Sequence, residues 1–195
     1  MAIQIPADLT IVSLRTGSRV QPQRFNGQIA RTLLSQASDL LRDRANITFT
    51  YNSCEIPPPV EMPPGARTDA VDDSGFHFLV SKFQAGQGVR VIFVDRIAQT
   101  DIGGRSREEK RACIVPYDGD LPSTARKLAH ELVHLLGITK HINEGGYPGP
   151  GQEKLALSWR RNLMYSGVLD PVAELNPDQI AVMRSSALAK KFGGG

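Results

Sequence analysis

The chain has 195 residues, of which 41% are hydrophobic and 22% are charged, and its formal net charge is +3. This composition is ordinary for a soluble globular protein, and the length favours a single domain. No apolar run approaches the roughly 20 residues that a membrane span needs, and scattered basic residues with few aromatics argue against nucleic-acid binding. We therefore expect no membrane and no nucleic-acid partner, and we favour a monomer.

The first part of the chain predicts two strands with a helix between them. Alternating β-prone residues predict a strand over residues 9–14. Asn26 is a candidate cap for a helix that runs to about Arg44 and has an apolar face at helical spacing. Residues 46–51 predict the second strand, and this order favours parallel pairing of the two strands. Residues 55–65 contain five prolines and predict a long surface loop.

The middle of the chain predicts the rest of a sheet. Residues 76–83 fit either a short helix or a strand, and the pattern leaves both open. Residues 89–94 form a compact apolar run that predicts a central strand, and residues 112–116 predict a further strand. Residues 101–111 are rich in glycine and then in charge, which indicates a loop with a weak edge strand.

Two helices and a loop are predicted in the last third. The first helix covers about residues 123–136, with Asp120 or Ser123 as its cap. Residues 143–151 form a loop by composition. The last helix has a cap, a first-turn proline and a capping-box residue at Asn176, Pro177 and Gln179.

The N-terminus and the cysteines do not identify the cellular compartment. The start of the chain lacks the basic region and apolar core of a secretory signal. The localisation is therefore unknown, since the protein could stay in the cytoplasm, leave by a non-classical route, or have lost a signal. Cys54 and Cys113 do not have the spacing of a metal-binding pair, so a disulfide and two buried thiols both remain open.

The predicted helix over residues 123–136 carries the motif H-E-x-x-H, as His130, Glu131 and His134. Residues four apart on a helix lie within about 40° of each other, so both imidazoles project from one face and can bind one metal ion. Glu131 points near this face and suits a general base on a metal-bound water. A catalytic zinc site needs three protein ligands and one open position, so the motif predicts one catalytic Zn²⁺.

The third metal ligand must come from beyond the helix. Three of the four histidines lie within residues 130–141. Gly137 can adopt a left-handed conformation, end the helix and turn the chain back, so that His141 approaches the same metal. The acidic alternatives are Glu144, Glu153 and Glu174.

These residues resemble the metzincin zinc metallopeptidases, whose signature is H-E-x-x-H-x-x-G-x-x-H followed by a methionine-containing turn. His130, Glu131, His134 and Gly137 match the signature. Residues 162–166, Asn-Leu-Met-Tyr-Ser, look like the Met-turn, especially in its matrixin-like form. The specific motifs cover only about residues 123–190, while the order of elements is similar over most of the chain.

The chain departs from the signature at the third ligand. The position of the family's last histidine falls on Lys140, and His141 comes one residue later. Since loops tolerate insertions, a turn longer by one residue after Gly137 could still deliver His141 as the third ligand.

The resemblance also implies a fold and further site residues. We expect an α+β fold in which a twisted mixed sheet packs on helices, in one catalytic domain over residues 1–192. Its upper lobe would cover residues 1–137, its lower lobe residues 138–192, and residues 193–195 would be a flexible tail. Met164 would form a hydrophobic floor beneath the metal, and Tyr165 and Ser166 would line a substrate pocket.

The sequence therefore predicts a zinc-dependent endopeptidase that acts on a protein or peptide substrate. Two alternatives stay open. One is a zinc hydrolase with a downstream glutamate as third ligand, and the other is a catalytically silent peptide-binding module with the same fold.

Overall fold

The structure is a computed structural model that describes residues 2–67, 69–98, 104–117, 119–142, 160–165 and 174–193. Eight strands occur in these ranges: β1 (Ile3–Val12), β2 (Leu14–Thr16), β3 (Arg19–Val20), β4 (Ile47–Glu55), β5 (Val60–Glu61), β6 (Val89–Val94), β7 (Arg105–Arg107) and β8 (Ala112–Pro116). The described helices are α1 (Gly27–Ala45), α2 (Asp73–Lys82), α3 (Leu121–Leu135), α4 (Pro177–Ser185) and α5 (Ala187–Gly193), with a 3₁₀ turn at Glu108–Lys110.

Five strands form a mixed sheet in the order β4-β1-β6-β8-β7. The pairs β1–β4, β1–β6 and β6–β8 are parallel, and β7 closes one edge antiparallel to β8. The predictions of parallel pairing around α1, a central strand at 89–94 and a weak edge strand are therefore confirmed. The strands β3, β2 and β5 make a second, smaller sheet.

Helices cover both faces of the main sheet. One face packs against α1 and α3 in the larger core, which also contains side chains of α4 and α5 such as Met183 and Leu188. The opposite face packs against α2 in a second core around Ile92 and Ile114. A mixed sheet between helices is the predicted α+β class. No described helix has the length and apolarity that a membrane crossing requires.

The helix starts follow from local capping chemistry. The side chains of Asn26, Asp120 and Asn176 accept backbone N–H bonds from Ile29, Ser123 and Gln179 at 2.9, 2.7 and 2.8 Å. Each bond satisfies a donor that the first helical turn leaves free. The undecided segment 76–83 is helical up to Lys82 in α2, whose first turn Asp72 caps through the N–H of Gly75, and Phe83 is the C-cap.

The structure corrects three boundaries. β1 begins at Ile3 rather than at residue 9, because Pro6 and the buried Asp8 hide the apolar pattern. The predicted last helix is two helices, since Ser186 is extended (ψ 153°) and its hydroxyl accepts the N–H of Ala189 at the start of α5. Gly193, assigned to a flexible tail by sequence, is the last residue of α5.

The two cysteines are free thiols on different strands. Cys54 lies on β4 and Cys113 on β8, and two strands separate these in the sheet. Three strand spacings of about 4.8 Å place the backbones far beyond the roughly 7 Å that a disulfide spans. Of the two open interpretations, the disulfide is excluded.

Candidate metal centre

Helix α3 presents the H-E-x-x-H motif between the core and the segment that follows the helix. Its apolar side buries Ala125, Leu128, Ala129 and Leu132, which are at most 2% exposed, in the larger core. This packing fixes the rotation of the helix. His130 and His134, one turn apart, therefore lie side by side, with ring centroids 4.8 Å apart.

The Nε2 atoms of three histidines meet at this site. The Nε2 of His130 lies 3.1 Å from that of His134 and 3.1 Å from that of His141. One ligand atom from each residue lies within 4.8 Å of the others, a group that could hold a metal ion. Ligands at about 2.0–2.1 Å around a tetrahedral zinc ion are about 3.4 Å apart, so the observed spacing suits such an ion.

The hydrogen bonds of the rings determine which nitrogens are free to bind metal. The Nδ1 of His130 lies 2.6 Å from the carbonyl oxygen of Leu163, and the Nδ1 of His134 lies 2.5 Å from that of Ile138. A carbonyl only accepts, so each Nδ1 carries the proton and each neutral ring has a lone pair on Nε2. Two lone pairs cannot hydrogen-bond to each other, whereas a cation between them satisfies both.

Electrostatics keep the first of these rings neutral. Burial, which is the largest cause, acts together with the neighbouring His134 and His141 to lower the pKa of His130 to about 3, although the bond to the Leu163 carbonyl acts in the opposite direction. A neutral imidazole is the form that binds metal, so the site favours the ligand state at physiological pH.

The turn after α3 delivers the third histidine. Gly137 has φ +91°, its N–H bonds to the carbonyl of His134, and the N–H of Ile138 bonds to that of Val133. These two bonds define a Schellman C-cap, which requires a left-handed residue. Beyond it Lys140 is exposed, and His141 reaches the other two rings. The structure therefore brings together the three predicted histidines despite the extra residue.

The carboxyl group of Glu131 is enclosed on the same helix. Its side chain is 3% exposed, and its Oε2 has no hydrogen-bond partner among the described residues. Burial raises the pKa of Glu131 to about 8, although a hydrogen bond from Ser106 and the charge of Arg105 act in the opposite direction. An unpartnered buried carboxylate oxygen is costly unless a ligand or water completes it.

Two residues beside Glu131 were not predicted from the sequence. Ser106 bonds to the Glu131 carboxyl, and the backbone of Gly104 lies so close that an added Cβ would be 2.6 Å from the Cγ of Glu131. Ser106 lies on the edge strand β7, and Gly104 directly precedes this strand. A glycine directly before a polar edge strand is visible in the sequence, but no nearby residue pattern indicates that this glycine contacts Glu131.

The predicted Met-turn residues form a tight turn. The N–H of Tyr165 bonds to the carbonyl of Asn162 at 3.0 Å, and Met164 is fully buried. Tyr165 is 8% exposed, so a substrate could touch only the edge of its side chain. Ser166 lies outside the described residues.

Acidic residues do not join the metal group in the part of the chain that the structure describes. Glu174 uses its backbone to pair with Arg161 and Leu163, and it is not part of the group of three histidines. Glu144 and Glu153 lie outside the described residues.

Comparisons with known proteins identify a similar structure but no sequence relative. No protein-family model matches the chain, and no curated protein matches its sequence. A solved structure of a zinc-dependent peptidase from Methanocorpusculum labreanum matches with a TM-score of 0.53 and 13% identity. The match covers 91% of this chain and 98% of the other. The two proteins share a fold. The shared fold extends well beyond the motif helix.

Proposed function

We propose that the protein is a zinc-dependent endopeptidase of the metzincin type, with a protein or peptide substrate. The observation that carries this proposal is the convergence of the Nε2 atoms of His130, His134 and His141 at a helix that also holds Glu131, a buried glutamate with one unpartnered carboxyl oxygen. The protein of similar fold is itself described as a zinc-dependent peptidase, which supports the same class.

In this proposal His130, His134 and His141 hold one zinc ion. Bound zinc would lower the pKa of a water molecule and polarise the scissile carbonyl. The charge of a bound cation would favour the ionised form of the buried Glu131. Glu131 would then accept a proton from the attacking water as a general base and pass it to the leaving amine as a general acid. Its enclosed position holds the carboxyl group in one place and excludes bulk water.

The segment after the metal site would complete the pocket. We propose that Met164 is the Met-turn residue beneath the metal and that Tyr165 and Ser166 border the substrate. The burial of Met164 and the tight turn around it support this role for the methionine.

The experiment compares the wild type with Glu131→Gln, measuring bound zinc by elemental analysis and cleavage of a peptide library. We expect the variant to retain about one zinc ion and to lose cleavage by about 10²- to 10⁴-fold, because only the proton acceptor has gone. Glu61→Gln, at an exposed residue of β5, is the matched control and should behave as wild type.

Three outcomes separate the alternatives. Full cleavage by Glu131→Gln would exclude Glu131 as the base. Zinc retained in His141→Ala would point to an acidic third ligand instead. A wild type that binds zinc but cuts no peptide would identify a silent binding module.

A further inference from the structure

A reciprocal pair of side-chain amides lies behind the metal site. The Nδ2 of Asn162 donates to the Oε1 of Gln179 at 2.9 Å, and the Nε2 of Gln179 donates to the Oδ1 of Asn162 at 3.2 Å. Asn162 is 5% exposed, so its polar groups depend on these protein partners. Its Oδ1 also accepts the N–H of Met164 at 2.9 Å. Every hydrogen-bonding atom of the Asn162 side chain is thus in use.

The turn that Asn162 organises holds two of the three histidines. The carbonyl of Leu163 accepts the Nδ1–H of His130 at 2.6 Å. The carbonyl of Met164 accepts the N–H of Ile142 at 2.9 Å, directly after His141. These two consecutive carbonyls point in directions that the Asn162 bond to the Met164 N–H helps to fix. This turn therefore orients the imidazole of His130 on α3 and the backbone next to His141, which follows α3.

Helix α4 anchors the other end of the amide pair. Gln179 is the capping-box residue of α4, since its Oε1 accepts the N–H of Asn176 at 3.0 Å and its own N–H bonds to the Oδ1 of Asn176 at 2.8 Å. These two bonds close the first turn of α4, from which the side chain of Gln179 also reaches Asn162. Met183, on the same helix, is fully buried in the larger core.

We propose that Asn162 and Gln179 are positioning residues that fix the orientation of His130 and His141 for metal binding. Groups that hold a ligating histidine through its second nitrogen commonly change metal affinity by about 10- to 100-fold when they are removed. This proposal rests on the proposed function only in that the three histidines bind a metal ion, and it does not require peptide cleavage.

The test uses two variants that damage the same helix start. Gln179→Ala removes the amide pair and the capping-box bond from the Asn176 N–H, whereas Asn176→Ala removes only the other capping-box bond, from the Gln179 N–H, and leaves the amide pair with Asn162. Both variants should lower the thermal midpoint of the metal-free protein, because both weaken the start of α4. Only Gln179→Ala should bind zinc more weakly, by about 10- to 100-fold in competition with a chelator.

A spectroscopic measurement tests orientation directly. With Co²⁺ in place of zinc, the visible bands report the geometry of the ligands. These bands should change in Gln179→Ala and stay unchanged in Asn176→Ala. Asn162→Asp provides a second variant, since it keeps an oxygen for the Met164 N–H but loses the donor to Gln179, and it should resemble Gln179→Ala.

The outcomes are distinct from those of the peptidase proposal. Equal zinc affinity in Gln179→Ala and the wild type would overturn the positioning role, and so would equal weakening in both helix variants. If the wild type binds zinc without cutting peptides, the peptidase proposal is excluded and the positioning role is unaffected. A wild type that binds no zinc would overturn both.

Discussion

At the scale of single residues, the backbone of Gly104 lies so close to the side chain of Glu131 that only glycine fits at position 104. A Cβ on residue 104 would lie 2.6 Å from the Cγ and 2.8 Å from the Oε1 of Glu131. Real Cβ atoms do not approach other atoms so closely, so either the carboxyl group or the start of β7 must move. The glycine therefore sets the position of the proposed general base.

We predict that Gly104→Ala lowers peptide cleavage strongly while zinc content stays near that of the wild type. Overpacking of this kind costs about 1–3 kcal/mol in the free energy of unfolding, which urea titration would measure. Gly27→Ala is the control, because its Cβ would meet only the Sγ of Cys54 at an ordinary 3.8 Å. Unchanged cleavage by Gly104→Ala would show that the position of Glu131 is not decisive.

At the scale of elements, the end of α3 and the metal site depend on the same turn. The carbonyl of His134 accepts the Gly137 N–H, and the Nδ1 of His134 bonds to the carbonyl of Ile138. The left-handed residue between them thus closes the helix, orients one histidine and directs the chain towards His141. A change in this turn should affect the helix end and the metal site together.

We predict that Gly137→Ala and Gly65→Ala destabilise the protein to a similar extent. Only Gly137→Ala should also bind zinc more weakly than the wild type. Both glycines have positive φ (+91° and +86°), and an added Cβ meets no atom closer than 3.8 Å at either. The shared cost is therefore backbone strain of about 1–2 kcal/mol. Thermal unfolding of the metal-free variants and zinc titration would measure the two effects. Equal zinc affinity in the two variants would show that the turn at Gly137 does not control metal binding.

The elements with local signals could be predicted from the sequence. The capping residues Asn26 and Asn176 start their helices where predicted, because the side chain and the N–H that it binds are only three residues apart. The approach of His141 to the motif pair was also predicted, since a helix pitch and one left-handed glycine determine most of it.

Features that depend on distant partners could not be predicted. The carbonyl that orients His130 belongs to Leu163, 33 residues away, and the contact of Gly104 with Glu131 joins a strand edge to a helix. The burial of Asp8 in β1 is possible only because other strands supply its partners, and the local pattern contains no sign of them.

At the scale of the whole molecule, one buried carboxylate connects three parts of the main sheet. Asp8 on β1 is 6% exposed. Its Oδ1 accepts hydrogen bonds from Asn52 at 2.7 Å and Ser53 at 2.5 Å on β4, and its Oδ2 lies 4.0 Å from the guanidinium of Arg90 on β6. Asp8 therefore joins β1 to both of its neighbours in the main sheet, β4 and β6.

The charge on Asp8 makes the stability of the protein depend on pH. Burial acts to raise the pKa of Asp8, but hydrogen bonds from Ser53 and Asn52, the charge of Arg90 and the N–H of Gly86 together lower it below the ordinary 3.8. A carboxyl group with a lower pKa in the folded state contributes stability above its unfolded pKa and loses it as the pH falls through the folded pKa. The contribution should thus be complete near pH 7 and decline below about pH 4.

We predict that Asp8→Asn is less stable than the wild type at pH 7 and that the difference shrinks as the pH falls below about 4. Loss of charge-assisted bonds at a buried site costs about 1–3 kcal/mol, measured by urea unfolding at a series of pH values. The comparison isolates Asp8, because every other carboxyl group is the same in both proteins. A difference that stays constant down to pH 3 would mean that the shape of the side chain, and not its charge, holds the three strands together.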